Sequence, residues 1–259
     1  MKIALMDSGI GLLAAAAALR NLRPDADLVL SSDPASMPWG PHTPAEITEL
    51  ALGCARAAAA LEPDALVIAC NTASVHALDT LRAELEPALP VIATVPAIKP
   101  AAALGGPVAI WATPATTGSP YQRGLIRDFA GPAAVTEVAC PGLADAVEHG
   151  DDAAIDAAVA DAAARTPAGT AALVLGCTHY ELVADRIRAA AAPVAAAHLT
   201  LHGSAEAVAA QALRRAGDPV RRGGGTLTVL HAGRAAVLPA AVLLYPQGRD
   251  LTAAAAPAA

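Results

Sequence analysis

Short runs of Val, Ile and Leu alternate along the chain with longer stretches that are rich in Ala and Leu. Short apolar runs are typical of strands buried on both faces, whereas the longer stretches favour helices. Repeated alternation of strand and helix predicts an α/β fold with a mostly parallel sheet flanked by helices. The predicted strands cover residues 2–6, 27–30, 65–69, 90–93, 108–111, 134–139 and 171–175.

Capping signals predict where several helices begin. Thr43 and Glu46, with a proline between them, form a capping-box pattern that predicts a helix running to about Leu61. Thr178 and Glu181 repeat the pattern and predict another helix start. A third amphipathic helix is indicated by apolar residues at three-to-four spacing, namely Val75, Leu78, Leu81 and Leu85.

An internal similarity predicts two halves built alike. Residues 66–72 read LVIACNT and residues 173–179 read LVLGCTH, so a buried strand twice leads through a small residue and a cysteine into a helix. Residues 3–11 and 108–118 form a second pair, each predicted to contain a strand, a polar turn and the start of an Ala-rich helix. Because ligands bind at the carboxyl ends of parallel strands, we expect the two halves to enclose a cleft.

Composition and charge narrow the classes of partner. Hydrophobic residues make up 55% of the chain and aromatic residues only 2%, so Leu, Val and Ile must supply the core. The formal net charge is −7 and long basic blocks are absent from the sequence, which argues against nucleic acid and favours a small molecule. Polar residues interrupt the apolar N-terminal region, and no run reaches the roughly 18 apolar residues of a membrane span. We therefore expect a cytoplasmic protein with reduced cysteines.

Two of the cysteines carry the candidate chemistry. Cys70 and Cys177 each lie where a buried strand meets a predicted helix start, and the backbone N–H groups there stabilise a thiolate. A single cysteine would be interpreted as a small buried hydrophobe, and that is our interpretation of Cys54 and Cys140. Two cysteines in matching contexts instead favour a pair of acid/base groups.

Hydroxyl and amide groups suited to a zwitterionic ligand surround these cysteines in the sequence. Several of them are equally suited to capping a helix, so each alone carries little weight. His179 allows three interpretations: a core histidine, an acid/base neighbour, or a zinc ligand with Cys177, of which zinc is the least supported by one C-x-H pair. The candidate groups are Ser8, Asn71, Thr72, Thr117, Thr178 and His179.

A competing motif lies near the N-terminus. Gly9, Gly11 and Ala14 satisfy G-x-G-x-x-A after a predicted strand, and Asp33 follows the next strand, as in a dinucleotide-binding fingerprint. This pattern predicts a nucleotide-binding oxidoreductase. It leaves both cysteine segments unexplained, so it ranks second.

The sequence resembles the glutamate racemases of the aspartate/glutamate racemase superfamily. The resemblance implies two α/β domains with the active site between them, which we assign to residues 1–95 completed by about 208–259, and to residues 96–207. It also implies racemisation of glutamate for peptidoglycan synthesis without cofactor or metal. The matching segments, in family order, are DSGIG at 7–11, PWG at 38–40, ACNTAS at 69–74, residues 113–121 and GCTHY at 176–180.

The resemblance further implies a role for each motif residue. Cys70 would serve the D-enantiomer with Asp7 beside it, and Cys177 the L-enantiomer with His179 and Glu148 beside it. Racemisation through a planar carbanion needs acid/base groups on both faces, which two thiols provide. The positions assigned to substrate binding are Asp7, Ser8, Trp39, Gly40, Asn71, Thr72, Thr117, Thr178 and His179.

Several residues depart from the family pattern. Leu12 replaces a glycine and Trp39 a tyrosine, and both are expected to border the cleft, so a racemase for aspartate or another amino acid is an alternative. Glu181 stands where a proline follows the tyrosine, and Gly203 stands where an aspartate precedes the serine. A homodimer is common in the family, and some members inhibit DNA gyrase, which makes a non-catalytic binding module a third hypothesis.

Overall fold

The computed structural model describes residues 1–217 and 223–254. The chain divides into two compact units, one formed by Met1–Val95 with Ala205–Ala259 and the other by Pro96–Ser204. Both units are sheets with helices packed against them, so the predicted α/β class is confirmed. The first unit is discontinuous in sequence, because its last helices and strands follow the second unit.

The first unit is built on a sheet with the strand order β10-β9-β2-β1-β3-β4 among the described residues. All neighbouring strands are parallel except β10 and β9. Parallel strands bring their carboxyl ends to one edge, where ligand-binding loops gather. The strands are β1 Lys2–Asp7, β2 Asp27–Ser32, β3 Ala65–Ile68, β4 Val91–Ala93, β9 Leu227–His231 and β10 Arg234–Ala235.

Helices cover this sheet and bury its apolar strands. Helix α2 begins at the predicted capping box, since the Thr43 side chain accepts a hydrogen bond from the Glu46 amide and the Glu46 carboxylate accepts one from the Thr43 amide. The helices of the first unit are α1 Leu13–Leu22, α2 Pro44–Ala59, α3 Asn71–His76, α4 Leu78–Leu85, α10 Ala205–Ala216 and α11 Pro246–Ala254.

The second unit has the strand order β6-β5-β7-β8, and every neighbouring pair is parallel. Its strands are β5 Val108–Ala112, β6 Val135–Ala139, β7 Thr170–Leu175 and β8 Ala195–His202. Its helices are α5 Ile98–Ala103, α6 Pro120–Phe129, α7 Leu143–His149, α8 Asp152–Ala164 and α9 Ala184–Ala191.

The structure corrects three predictions. The predicted helix over Val75 to Leu85 is two helices, α3 and α4, which meet at Ala77. The predicted capping box at Thr178 is wrong: residues Thr178–Val183 form a 3-10 helix, and the Glu181 carboxylate binds Ser204 instead. Strands β8 to β10 were missed because they are short, edge-lying or partly exposed, and so lack a continuous apolar run.

A fourth difference concerns the helix that follows the turn at 113–118. Helix α6 reads PYQRGLIRDF, so it is polar and amphipathic where an Ala-rich helix is predicted. Within residues 1–217 and 223–254, every helix is too short or too polar to cross a lipid bilayer.

Candidate functional site

Cys70 and Cys177 occupy the same kind of position in their respective units. Each is the N-cap residue of a helical turn, with φ and ψ of −141° and 120° at Cys70 and −140° and 137° at Cys177. Each lies two residues beyond a central parallel strand, β3 or β7, and both are buried. The repeated sequence therefore produces a repeated backbone conformation that presents a thiol at a strand end.

One small residue, Ala69 or Gly176, lies between each strand and its cysteine and contacts the neighbouring strand closely. The Ala69 amide donates to the Met6 carbonyl at 2.8 Å, and the Gly176 amide donates to the Trp111 carbonyl at 2.7 Å. A Cβ on Gly176 would lie 2.8 Å from that same carbonyl oxygen. The neighbouring strand therefore excludes a side chain at 176, and the close approach of the two strands fixes the direction in which the chain reaches Cys177.

In the first unit, an acidic residue ends the strand next to that of Cys70. Asp7 is the last residue of β1, which pairs with β3, so both residues lie at the carboxyl edge of the sheet. The Asp7 side chain is fully buried, and its Oδ1 accepts hydrogen bonds from the Ser8 amide at 2.6 Å and the Ser8 hydroxyl at 3.2 Å. Such bonds hold a buried carboxylate in one orientation.

The predicted amide and hydroxyl groups follow Cys70 directly. Asn71 and Thr72 form the first turn of α3, with Asn71 buried and Thr72 half-buried. The N–H groups at a helix start and neutral side-chain donors suit a carboxylate ligand. The first unit thus brings Asp7, Ser8, Asn71 and Thr72 to the strand edge that bears Cys70.

Trp39 and Gly40 lie in the loop between β2 and α2. The Trp39 indole is buried in the apolar core of the first unit, and its N–H donates to the Ser36 hydroxyl at 3.1 Å. That hydroxyl donates in turn to the Asp33 carboxylate at 2.6 Å. The side chain of Trp39 therefore anchors the loop in the core of the first unit.

In the second unit, three side chains form a chain of contacts that begins at Cys177. The Cys177 sulfur lies 3.9 Å from Nδ1 of His179, and Nε2 of the same ring lies 2.9 Å from Oε2 of Glu148. All three side chains are buried, and Glu148 comes from α7. A carboxylate that fixes the far nitrogen of a histidine orients the ring and selects its tautomer, which leaves Nδ1 to exchange a proton with the thiol.

Three threonines lie where β5 ends, beside the strand of Cys177. The Thr117 hydroxyl donates to the Thr113 carbonyl at 3.0 Å, so it satisfies the backbone of its own turn. The hydroxyls of Thr113 and Thr116 lie 3.2 Å apart and form a pair at the strand end. The sequence prediction chose Thr117 and missed this pair, although the T-x-x-T spacing directly after a buried strand was a usable signal.

The other two cysteines are core residues, as interpreted from the sequence. Burial raises the pKa of Cys54 to about 12, with the negative charges of Asp33 and Asp7 adding to the effect. Burial likewise raises the pKa of Cys140 to about 12. Neither thiol is ionised near neutral pH, which leaves Cys70 and Cys177 as the candidates for proton transfer.

The glycine motif near the N-terminus has a different local structure from a dinucleotide-binding turn. Residues Ile10–Leu12 form a buried 3-10 helix after β1, and α1 begins only at Leu13. Leu12, one of the departures from the family pattern, is buried as well. This part of the first unit is packed with apolar side chains.

A comparison with known protein families matches a range of the chain that contains both cysteine segments. Residues 12–212 match the family model described as Asp/Glu/Hydantoin racemase, and this range includes both thiols. The chain belongs to the Asp/Glu/Hydantoin racemase family. Membership confirms the sequence-based assignment to a family of racemases.

The chain is also similar in sequence to individual glutamate racemases. The glutamate racemase of Roseiflexus sp. is 40% identical over 197 residues, covering 73% of this chain and 71% of that protein. The glutamate racemase of Herpetosiphon aurantiacus is 35% identical over 218 residues, covering 82% of this chain and 83% of that protein.

A solved racemase structure has the same fold. It is the glutamate racemase of Escherichia coli in complex with L-glutamate and the activator UDP-MurNAc-ala. The two chains are 28% identical with a TM-score of 0.77, and the match covers 88% of this chain and 87% of the other.

Proposed function

We propose that this protein is a glutamate racemase that needs no cofactor and that moves the substrate α-proton with Cys70 and Cys177. The observation that carries the proposal is the duplicated strand-end cysteine, each copy accompanied by its own acidic group. Two equivalent thiols match the near mirror symmetry of the reaction, in which either enantiomer is substrate or product. The product D-glutamate would supply peptidoglycan synthesis.

In the direction from L- to D-glutamate, the Cys177 thiolate takes the α-proton. The electron pair of the broken C–H bond remains on the α-carbon as a planar carbanion, and Cys177 becomes a thiol. His179 lies within proton-transfer reach of this sulfur, and Glu148 fixes its ring. After this step, the relay formed by His179 and Glu148 would accept the proton from Cys177 and so return it to the thiolate.

Cys70 completes the reaction from the opposite face. Its thiol gives a proton to the carbanion, a new C–H bond forms from the retained electron pair, and Cys70 is left as a thiolate. No net proton or electron is gained by the substrate. Asp7, buried at the neighbouring strand end, is the acidic group proposed to assist this thiol.

The barrier to this chemistry is the weak acidity of the α-proton. A carbanion beside a carboxylate becomes accessible only if developing charge on the carboxylate oxygens meets fixed donors in a site that excludes bulk water. The proposed donors are neutral groups at the strand ends and helix starts of the two units, namely Ser8, Asn71, Thr72, Thr113, Thr116 and Thr178.

The proposal is tested by following each enantiomer of glutamate in heavy water without added cofactor. Circular dichroism reports inversion, and proton NMR reports deuterium at the α-carbon. Both enantiomers are expected to racemise, and Cys70→Ala or Cys177→Ala is expected to lower kcat by at least about 100-fold, because each removes one acid/base group. Cys140→Ala is the matched control and is expected to keep the parent rate.

Substrate choice is tested with the same assays. Glutamate is expected to be preferred over aspartate and alanine. A preference for aspartate would support the alternative of a racemase for a shorter substrate, and would contradict the proposal for glutamate. Full activity in the Cys70→Ala, Cys177→Ala double variant would show that the two thiols have no part in the reaction.

A further inference from the structure

The carboxylate of Glu181 occupies the space where a side chain at position 203 would be. A Cβ built on Gly203 would collide with Oε2 of Glu181 and lie 2.7 Å from its Cδ. The other oxygen, Oε1, accepts hydrogen bonds from the Ser204 amide and the Ser204 hydroxyl, both at 2.8 Å. The glutamate therefore fits against residues 203 and 204 only because residue 203 has no side chain.

This contact joins the turn that carries the relay to the end of the neighbouring strand. Glu181 belongs to the 3-10 helix Thr178–Val183, as does His179 two residues earlier. Ser204 is buried and lies two residues beyond β8, the strand that pairs with β7. A 3-10 helix has weaker internal hydrogen bonds than an α-helix, so its position depends more on outside contacts.

We propose that Glu181 is a positioning residue for proton transfer at Cys177, and that Gly203 is its obligatory partner. The two bonds to Ser204 hold the turn that presents Thr178 and His179, so that the His179 ring stays within reach of the Cys177 sulfur. The catalytic part of this inference rests on the proposed racemase function. The contact itself is testable by stability alone.

The contact between Glu181 and Gly203 predicts non-additive effects on stability. Glu181→Ala removes the carboxylate, and Gly203→Ala displaces it, since the flexible end of the glutamate must move away from the new Cβ. The backbone of Gly203 lies outside the left-handed region, so an alanine adds no backbone strain there. Each single substitution is expected to lower the denaturant midpoint, and the double variant is expected to unfold at the midpoint of Glu181→Ala.

Two exposed positions provide matched controls. Gly53 has open space around its Cα within α2, and Glu206 is an exposed glutamate in the first turn of α10. Gly53→Ala is expected to raise the midpoint or leave it within error, and Glu206→Ala is expected to change it only slightly, because an exposed acidic group in the first helical turn contributes little. Additive losses from Glu181→Ala and Gly203→Ala would overturn the proposed partnership.

Isotope effects separate positioning from a purely structural role. If Glu181 positions the Cys177 relay, its loss slows only the transfer at Cys177. Glu181→Ala is then expected to lower kcat by about 10- to 100-fold. It is also expected to enlarge the deuterium isotope effect with 2-deutero-L-glutamate and reduce that with 2-deutero-D-glutamate. Glu181→Gln, which keeps one acceptor oxygen, is expected to restore part of the rate and of the isotope pattern.

The outcomes distinguish this inference from the proposed function. A lower rate with both isotope effects unchanged, or an unchanged rate, would overturn the positioning role of Glu181. If the parent protein racemises neither enantiomer, the proposed function fails, and with it the catalytic part. The unfolding midpoints of the two single variants and the double variant would then still decide whether Glu181 and Gly203 are partners.

Discussion

At the scale of single residues, the groups around each thiol separate the four buried cysteines into two classes. Cys54 and Cys140 have pKa values raised to about 12, chiefly by burial, whereas Cys70 and Cys177 each follow a strand and lie near groups that can exchange protons. The sequence identified the second pair by context, because a strand followed by a helix start exposes backbone donors to the side chain between them.

The raised pKa of Cys54 predicts a loss of stability in alkaline solution. Its thiol ionises near pH 9 in the unfolded chain but near 12 in the folded one, so the unfolded state binds fewer protons between these values. The contribution of the neutral Cys54 thiol to the free energy of unfolding is fully present below pH 9. Between pH 9 and 12 it falls by about 1.4 kcal/mol per pH unit. The stability of Cys54→Ala, measured by urea unfolding at pH 8 and pH 10, is expected to depend less on pH than that of the parent.

At the scale of elements, the two capping boxes predicted from the sequence had opposite outcomes. The capping box at Thr43 forms as predicted, because its partners are three residues apart and need no tertiary contact. The same pattern at Thr178 fails, because the Glu181 carboxylate finds the amide and hydroxyl of Ser204, a residue distant in sequence. A local signal thus holds only where no competing partner is brought near by the fold.

The capping box predicts a measurable contribution to stability. Thr43→Ala removes the side-chain acceptor of the Glu46 amide and is expected to cost about 1 kcal/mol. The hydrogen bond from the backbone N–H of Thr43 lowers the pKa of Glu46. The stabilisation from this bond is therefore present at neutral pH and is lost as the Glu46 carboxylate is protonated in acid. Thr80→Ala, at an exposed position of α4, is the control. Equal midpoints for the two variants in urea unfolding would contradict the prediction.

At the scale of the whole molecule, the first unit depends on two distant parts of the chain. Helix α10 packs against α1 and β3, and β9 pairs with β2, although both follow the second unit in sequence. Each unit contains one of the two tryptophans, Trp39 in the first and Trp111 in the second. Both indoles are buried, so the fluorescence of a variant that keeps only one of them reports the unfolding of the unit that contains it.

A charge in the buried face of α10 is expected to destabilise the first unit. Ala209 is fully buried, and Ala209→Asp places an unpaired carboxylate there, whereas Ala207→Asp adds the same group at an exposed position of the helix. In Trp111→Phe protein, where Trp39 alone is observed, Ala209→Asp is expected to lower the unfolding midpoint and Ala207→Asp to leave it nearly unchanged. An unchanged Trp39 transition in Ala209→Asp would show that α10 does not stabilise this unit.

The sequence by itself determined the α/β class, the central strands and the two cysteine turns, because all of these follow from apolar periodicity and from interactions within a few residues. It could not reveal that Glu148 binds the far nitrogen of His179, although the resemblance placed both residues beside Cys177, nor the buried orientation of Trp39 or the use of Glu181 by Ser204. Most of these depend on which side chains meet across packed strands and helices. Only the tertiary structure decides such contacts, because hydrogen-bonding partners distant in sequence become neighbours only when the core has formed.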